Sequence, residues 1–323
     1  MVMMLDNNVL VTGGAGFIGS NLTLKLIEQG KNVTVLDNLS SGFQSNIPTH
    51  KNLKFINGDI RDVELVDELV KDNDIIFHLA EFIPNSSKFG AGHVIKFSVE
   101  NPLIDFDVSA KGTLVILESV KQHKKRLIFT STAAVYGLYK ENISEDFELK
   151  PISPYGVSKI CAEQYIYLYN RIYDTRSTIF RLFNVYGPNQ RKYVMYDTLI
   201  KLKNNPNKLE LLGTGTEQRD FIYINDVVNA LIFASNNDST IGEVINIGTG
   251  KATSIKSLVE IIVKKMGLDT EIIFKGSSWK GDVSSLVSNN SKLIKMGYKP
   301  KIILDKGLDY FIEWFKKIGS DTR

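Results

Sequence analysis

Val9-Leu10-Val11-Thr12-Gly13-Gly14-Ala15-Gly16-Phe17-Ile18-Gly19 is the stretch on which the reading of this 323-residue chain turns. Its first four residues form a short apolar strand. The glycines at 13, 16 and 19 permit a tight turn and a close approach of backbone to a ligand. Residues 20–29 then read as a helix with Leu22, Leu26 and Ile27 inward, closed by Gly30. Residues 33–36 form a second strand that ends at Asp37. A glycine turn alone says little. Set between a strand and a helix, with an acid about 20 residues on, it predicts a βαβ unit that holds a dinucleotide pyrophosphate at a helix N-terminus. Asp37 is placed to accept hydrogen bonds from a ribose diol and to repel a 2′-phosphate, which favours NAD.

Strand and helix patterns keep alternating. Residues 53–57 are a strand followed by Gly58-Asp59, and residues 62–71 a helix with Leu65, Val66, Leu69 and Val70 inward. Residues 75–80 are a buried strand, residues 102–121 a longer helix, and residues 126–130 the next strand. This order predicts an α/β protein whose doubly wound, Rossmann-type parallel sheet is covered on both faces. Ligands of such sheets sit at the carboxyl ends of the strands, so Asp37, Asp59, Ala80 and Thr130 are expected around one crevice. Residues 81–97 lack a clear period and read as a loop over that crevice.

The bulk composition narrows the classes. The chain is 43% hydrophobic and 23% charged, with a net charge of +3, too small to argue for nucleic acid. One local basic cluster, Lys121 with Lys124, Lys125 and Arg126, reads as a solvated helix end. The single cysteine, Cys161, excludes an internal disulfide and fits a reducing compartment. The four histidines lack metal-ligand spacing, no apolar run reaches membrane-spanning length, and the first ten residues lack the pattern of a signal peptide. A cytoplasmic protein is expected.

The chemistry is expected at Ser153-Pro154-Tyr155-Gly156-Val157-Ser158-Lys159. Ser153 followed by Pro154 starts a helix, and Tyr155 and Lys159, four apart, share one face. A phenol ordinarily ionises near about 10. One cation about 5 Å away, at an effective dielectric of ~20, favours the phenolate by roughly 3 kcal/mol, or about two pH units. A second cation, such as an oxidised nicotinamide, would bring the phenol close to neutrality. Thr132, after the strand at 126–130, is placed to bridge the phenol and a substrate hydroxyl.

These residues occur in the order found in the extended short-chain dehydrogenase/reductases: Gly13, Gly16 and Gly19, Asp37, Gly58-Asp59, His78-Leu79-Ala80, Ser131-Thr132, and Tyr155 with Lys159. Arg181-Leu182-Phe183-Asn184-Val185-Tyr186-Gly187-Pro188, the run from Arg219 to Val227, Asn246-Ile247-Gly248-Thr249-Gly250 and Gly281-Asp282 resemble the nucleotide-sugar branch, closest in pattern to UDP-hexose 4-epimerases. The resemblance spans residues 8–315. It implies an NAD-binding domain over residues 1–183 and a smaller α/β nucleotide-sugar domain over 184–323, with some crossing of the chain between them. It implies NAD contacts from Gly13, Gly16, Phe17, Ile18, Gly19, Asp37, Asn38, Ser40, Gly42, Asp59, Ile60, Leu79, Ala80, Ser109, Thr130, Tyr155, Lys159 and Phe183. Substrate contacts are implied for Thr132, Tyr155, Asn184, Val194, Leu212, Arg219 and Asp282, with Thr132, Tyr155 and Lys159 catalytic. Asn184 would donate to phosphate, Arg219 grip it as a fork, Asp282 accept from a ribose, and the strand at 209–212 pack on the base.

In this branch Tyr155 would take the C4 hydroxyl proton as hydride leaves to NAD, giving a 4-keto sugar. A 4,6-dehydratase needs a further acid and base, which that branch carries as Asp and Glu after the active-site Thr; Ala133 and Ala134 stand here. Epimerisation at C4 is therefore the expected activity. A dehydrogenase, reductase or decarboxylase on the same scaffold, and a non-catalytic NAD-binding module, are the competing readings. Trp279, followed by Lys280, replaces a usual phosphate-binding Arg, Ser109 a usual Asn, and Leu286 a gate residue beside the sugar, where it would leave room for an N-acetyl group. GDP-, CDP- and dTDP-sugars thus stand beside UDP-sugars as candidate substrates. The resemblance further implies a homodimer built on the helices at 102–121 and 154–172, and a place in polysaccharide biosynthesis.

Overall fold

A computed structural model describes residues 7–82, 94–276 and 283–320. Strands β1 (Asn8–Thr12), β2 (Asn32–Asp37), β3 (Leu53–Asn57), β4 (Ile75–His78), β5 (Arg126–Thr132) and β6 (Arg176–Leu182) are joined by the strand Val244–Ile247 in one seven-stranded sheet. The order is Val244–Ile247, β6, β5, β4, β1, β2, β3, and every pairing is parallel. β1 pairs with both β2 and β4, so the winding reverses there and a crevice opens at the carboxyl ends.

Helices cover both faces: α1 (Phe17–Glu28), α2 (Val63–Asp72), α3 (Val94–Glu100), α4 (Pro102–Phe106), α5 (Gly112–His123) and α6 (Pro154–Tyr173). The period-two alternation of β1 divides the core. Val9 and Val11 pack with Leu22 and Leu26 of α1 and with Val227 and Leu231 of the helix Ile224–Ser235. Leu10 points the other way, into a cluster with Val66 and Leu69 of α2, Ile116 and Leu117 of α5, and Ile166 of α6. Burial on both sides explains why these strands read as continuous apolar runs.

Four local expectations need correction. α1 begins at Phe17 rather than residue 20, because Gly16 has extended backbone and is itself the N-cap. The expected loop at 81–97 ends early, since α3 starts at Val94; residues 83–93 of that loop lie outside the described residues. The single helix expected over 102–121 is interrupted by one wide turn, Asp107–Lys111, which leaves Ser109 buried and Asp107 against Arg61 at 2.6 Å. Arg126 is not a solvated helix end. It is the first residue of β5 and buried; its guanidinium donates to the Arg176 carbonyl at 2.6 Å, Thr178 Oγ1 at 2.6 Å and Thr240 Oγ1 at 2.9 Å.

Small sheets complete the C-terminal half. Asn184–Tyr186 pairs with Phe221–Tyr223, and Gln218–Arg219 lies between Thr253–Ser254 and Ser285–Leu286. The buried Asp220 pins this region: its carboxylate accepts from Thr249 N at 2.8 Å, Gly250 N at 3.0 Å and Ser288 Oγ at 2.5 Å.

His78 ends β4 inside the protein, with Thr12 Oγ1 2.7 Å from its Nδ1 and Thr113 Oγ1 3.0 Å from its Nε2. Burial, then the nearby Lys159 charge, lowers its pKa to about 3. The unfolded imidazole takes a proton near about 6.5, so His78 removes stability as pH falls from that value toward 3. Asp105, raised by burial to about 6, gives the opposite slope. Comparing wild type with His78→Gln cancels that contribution. Urea unfolding is expected to show wild type losing about 2 kcal/mol more than the variant between pH 7 and pH 5; equal losses would refute the assignment.

Candidate active site

The crevice measures about 720 Å³ and is rimmed by the turn after β1, the ends of β2 to β6, and the segments around 182–194 and 211–219. At its base Gly13, with φ +72°, passes so close to β4 that a Cβ would lie 2.8 Å from Ala80 Cα. A Cβ on Gly19 would lie 2.2 Å from the Gly13 carbonyl oxygen. Gly16 caps α1 without any side-chain hydrogen bond, and the first turn holds no acid. The free amides and positive end of the helix dipole therefore open into the crevice, as a diphosphate requires.

The next strand ends bring polar groups to the crevice. Asp37 is buried; its carboxylate accepts from Ala15 N at 2.9 Å and Leu39 N at 2.8 Å, while burial, the larger effect, raises its pKa. Asn38, Ser40, Gly42, Asp59 and Ile60 line the same end. Asp59 accepts from Asn38 Nδ2 at 2.9 Å and from both Arg61 Nε and Nη2 at 2.8 Å, which holds its carboxyl well below the usual range. Phe17, Ile18, Leu79, Ala80, Thr130 and Phe183 also line the crevice. Ser109 does not: it is buried behind Glu81 and donates to the Glu81 Oε1 at 2.7 Å. With the glycine cradle, the bare helix end and Asp37 together, these residues fit a bound NAD.

Helix α6 starts as its sequence suggests. Ser153 Oγ accepts from Gly156 N at 3.2 Å, Pro154 occupies the first turn, and Tyr155 and Lys159 both face the crevice. Tyr155 is hydrogen-bonded to Thr132, whose Oγ1 also accepts from Ala134 N at 3.1 Å. Lys159 Nζ lies 2.7 Å from Glu81 Oε2, donates to the Thr130 carbonyl at 3.3 Å, and sits 4.9 Å from the Phe129 ring centre. The expected acidification of Tyr155 rests on Lys159 together with a nicotinamide cation; in the protein alone the surroundings act the other way. Burial raises the phenol's pKa well above its usual value, and the negative charge of Glu81 and the neighbouring Tyr193 add to that. The Thr132 hydrogen bond opposes them without reversing the direction.

Of the residues expected to meet substrate, Asn184, Val194, Leu212 and Arg219 all line the crevice, with Leu212 63% exposed. Asn184 Nδ2 donates to the Asp220 carbonyl at 3.3 Å, and Arg219 Nη1 to the Gln218 carbonyl at 2.8 Å. Leu286 lines the crevice and pairs in register with Arg219. Asp282, Trp279 and Lys280 lie outside the described residues. Ala133 and Ala134 line the crevice beside Thr132, so no carboxylate projects from those two positions.

Among the charged residues of this region that the sequence reading did not single out are Glu81, Arg61 and Asp105. Asp105 is buried, accepts from Ser158 Oγ at 2.6 Å, and is pushed up to about 6 by burial. Glu81 and Arg61 each follow a strand by a few residues, and that position at a carboxyl end was the available signal.

Comparison with known proteins agrees with this geometry. Residues 9–248 match the model of the NAD dependent epimerase/dehydratase family. A putative UDP-glucose 4-epimerase of Methanocaldococcus jannaschii is 37% identical over 95% of this chain and 98% of its own. The crystal structure of a Thermotoga maritima UDP-glucose 4-epimerase with UDP-glucose superposes with a TM-score of 0.86, at 34% identity, over 96% of this chain and 99% of that one. A Bacillus cereus UDP-glucuronic acid 4-epimerase, solved with UDP-glucuronic acid and NAD, gives 0.86 at 30% identity over 96% and 99%. A glycine turn, an acid at the end of β2 and a Tyr–Lys helix gathered in one crevice, with similarity along nearly the whole chain, place this protein in the NAD dependent epimerase/dehydratase family.

Proposed function

We propose that the protein is an NAD-dependent nucleotide-sugar 4-epimerase working through a 4-keto intermediate. The observation that carries this reading is the meeting of Tyr155, Thr132 and Lys159 at the foot of the glycine-turn crevice, with Ala133 and Ala134 at the two positions after Thr132. Alanine transfers no proton, so water loss across the sugar lacks its acid and base at these positions, whereas inversion at C4 needs one proton-transferring group and space to turn.

Bound NAD supplies a reversible hydride acceptor. The chain's own residues do the rest. The ionised Tyr155 oxygen takes the proton from the C4 hydroxyl as the carbonyl forms and returns it when the hydroxyl is rebuilt on the opposite face. Thr132, bonded to that phenol, orients the hydroxyl. Gly16 and the α1 amides hold the cofactor diphosphate, and Asp37 the ribose diol. Asn184 and Arg219 hold the diphosphate of the sugar nucleotide, and Leu212 and Val194 border its base. Residues 1–183 act chiefly as the cofactor half and 184–323 as the sugar-nucleotide half. Similarity to enzymes of UDP-glucose and UDP-glucuronic acid supports a UDP-sugar as substrate. The lone Cys161 supports a cytoplasmic location, with sugar nucleotides for polysaccharide assembly as the product class.

The homodimer reading gains support from apolar side chains left at the surface. Leu103 of α4 is 84% exposed, and Ile104, Phe106, Val157, Leu168 and Ile172 on α4 and α6 are exposed as well. Burying them against a second copy removes a large apolar area from water.

Incubation with UDP-, GDP-, CDP- and dTDP-sugars, followed by NMR, is expected to show C4 inversion without net growth of the reduced-nicotinamide absorbance; stoichiometric NADH would indicate a dehydrogenase instead. Tyr155→Phe is expected to lower turnover by about 10²–10⁴-fold with NAD affinity largely kept; near wild-type turnover would remove Tyr155 from its role. Sedimentation velocity should find a dimer that Leu103→Asp combined with Leu168→Asp converts to monomer, and a monomeric wild type would end the homodimer reading.

A further inference from the structure

Glu81 stands just beyond β4, lines the crevice, and has a side chain only 8% exposed. A carboxylate withdrawn from water to that extent is costly unless it is paired and hydrogen-bonded. It is both. Lys159 Nζ lies 2.7 Å from Oε2, and Ser109 Oγ donates to Oε1 at 2.7 Å. Ser41 Oγ donates to the Glu81 main-chain carbonyl at 3.4 Å. The Phe82 main-chain N–H also donates to Oε1, at 3.0 Å. Ser109 comes from the wide turn Asp107–Lys111, so the irregularity in that helix delivers one of the partners of the Glu81 carboxylate.

The other titratable groups around this pair come from every neighbouring element. His78 of β4 is neutral and held by Thr12 and Thr113. Asp105 of α4 is bonded by Ser158 of α6. Tyr155 of α6 and Tyr193, with φ +70° at the start of the next helix, complete the ring, and both feel the charge of Glu81. Lys159 is the cation that the phenol of Tyr155 would otherwise use, four residues away on the same helix face. Its charge is instead met at 2.7 Å by Glu81.

We propose that Glu81 is a positioning residue of the reaction: it fixes the Lys159 ammonium and cancels its charge, so that Tyr155 remains a neutral phenol until the oxidised cofactor adds a positive charge to the crevice. The base is then formed only in a loaded site. The reaction in question is that of the 4-epimerase reading, but the pair and its effect on Tyr155 stand independently of the sugar. The physical content is a balance of two opposite charges near one hydroxyl in a poorly solvated place, where each acts more strongly than in water.

Tyrosinate absorbance titrations of the purified protein without NAD test this. Subtracting the curve of the matching Tyr155→Phe protein isolates Tyr155. In Glu81→Gln, which keeps an acceptor for Ser109, the Tyr155 midpoint is expected at least about one pH unit below wild type. In Glu81→Gln combined with Lys159→Met both charges are gone, and the midpoint is expected within about half a unit of wild type. Glu81→Asp should restore the wild-type midpoint. For any sugar nucleotide that turns over, the acid limb of kcat in Glu81→Gln should move to lower pH in the same direction. Equal Tyr155 midpoints in wild type and Glu81→Gln, or a doubly substituted protein displaced by more than about one unit, would overturn the proposal. If no sugar nucleotide turns over, the 4-epimerase reading fails while the titration still decides the role of Glu81.

Discussion

Gly13 passing against Ala80 is the contact on which the crevice depends. Nothing larger than hydrogen fits between the turn after β1 and the end of β4, since a Cβ at Gly13 would sit 2.8 Å from Ala80 backbone atoms. A second close approach, Gly19 against the Gly13 carbonyl, keeps α1 tight on the same turn. Together they set where the bare amides of α1 point. Because the sheet is parallel, every other strand delivers its carboxyl end to the same rim. Asp37, Asp59, Glu81 and Thr130 therefore arrive around the turn without any loop having to reach far.

Much of the charge inside the crevice is paired. Lys159 answers Glu81, and Asp59 answers Arg61. Asp220 is consumed by Thr249, Gly250 and Ser288, so Arg219 borders the crevice beside Leu286 instead of being drawn inward by its sequence neighbour. Lys192, also at the crevice, is lowered to about 8 by burial. Arg219 and Lys192 thus put cationic side chains at the periphery of the crevice. At its centre it keeps a phenol whose ionisation is set by its surroundings rather than by one neighbour.

Much of this was legible in the chain. The strand–glycine–helix–strand–acid order from Val9 to Asp37 specified the parallel α/β class, because each part constrains only its near neighbours and all agree. The pair Tyr155–Lys159 was legible for the same reason: helical spacing alone puts both on one face. The misreadings were of side chains whose partners are distant in sequence. Arg126 looked like part of a basic surface cluster, yet Thr178 and Thr240 fold over it. The helix break at Asp107–Lys111 has no proline or glycine to announce it within its five residues.

Local spacing thus determined the strands, the helices, the cofactor turn and the residue types available for proton transfer. Tertiary structure alone decided what charge Tyr155 experiences. Glu81, Ser109, Thr132 and Lys159 come from four separate elements, and no periodicity in the chain encodes that they converge. Electrostatic energy depends on through-space distance and on exclusion of water, and both come into being only when the sheet and its helices have closed around the site.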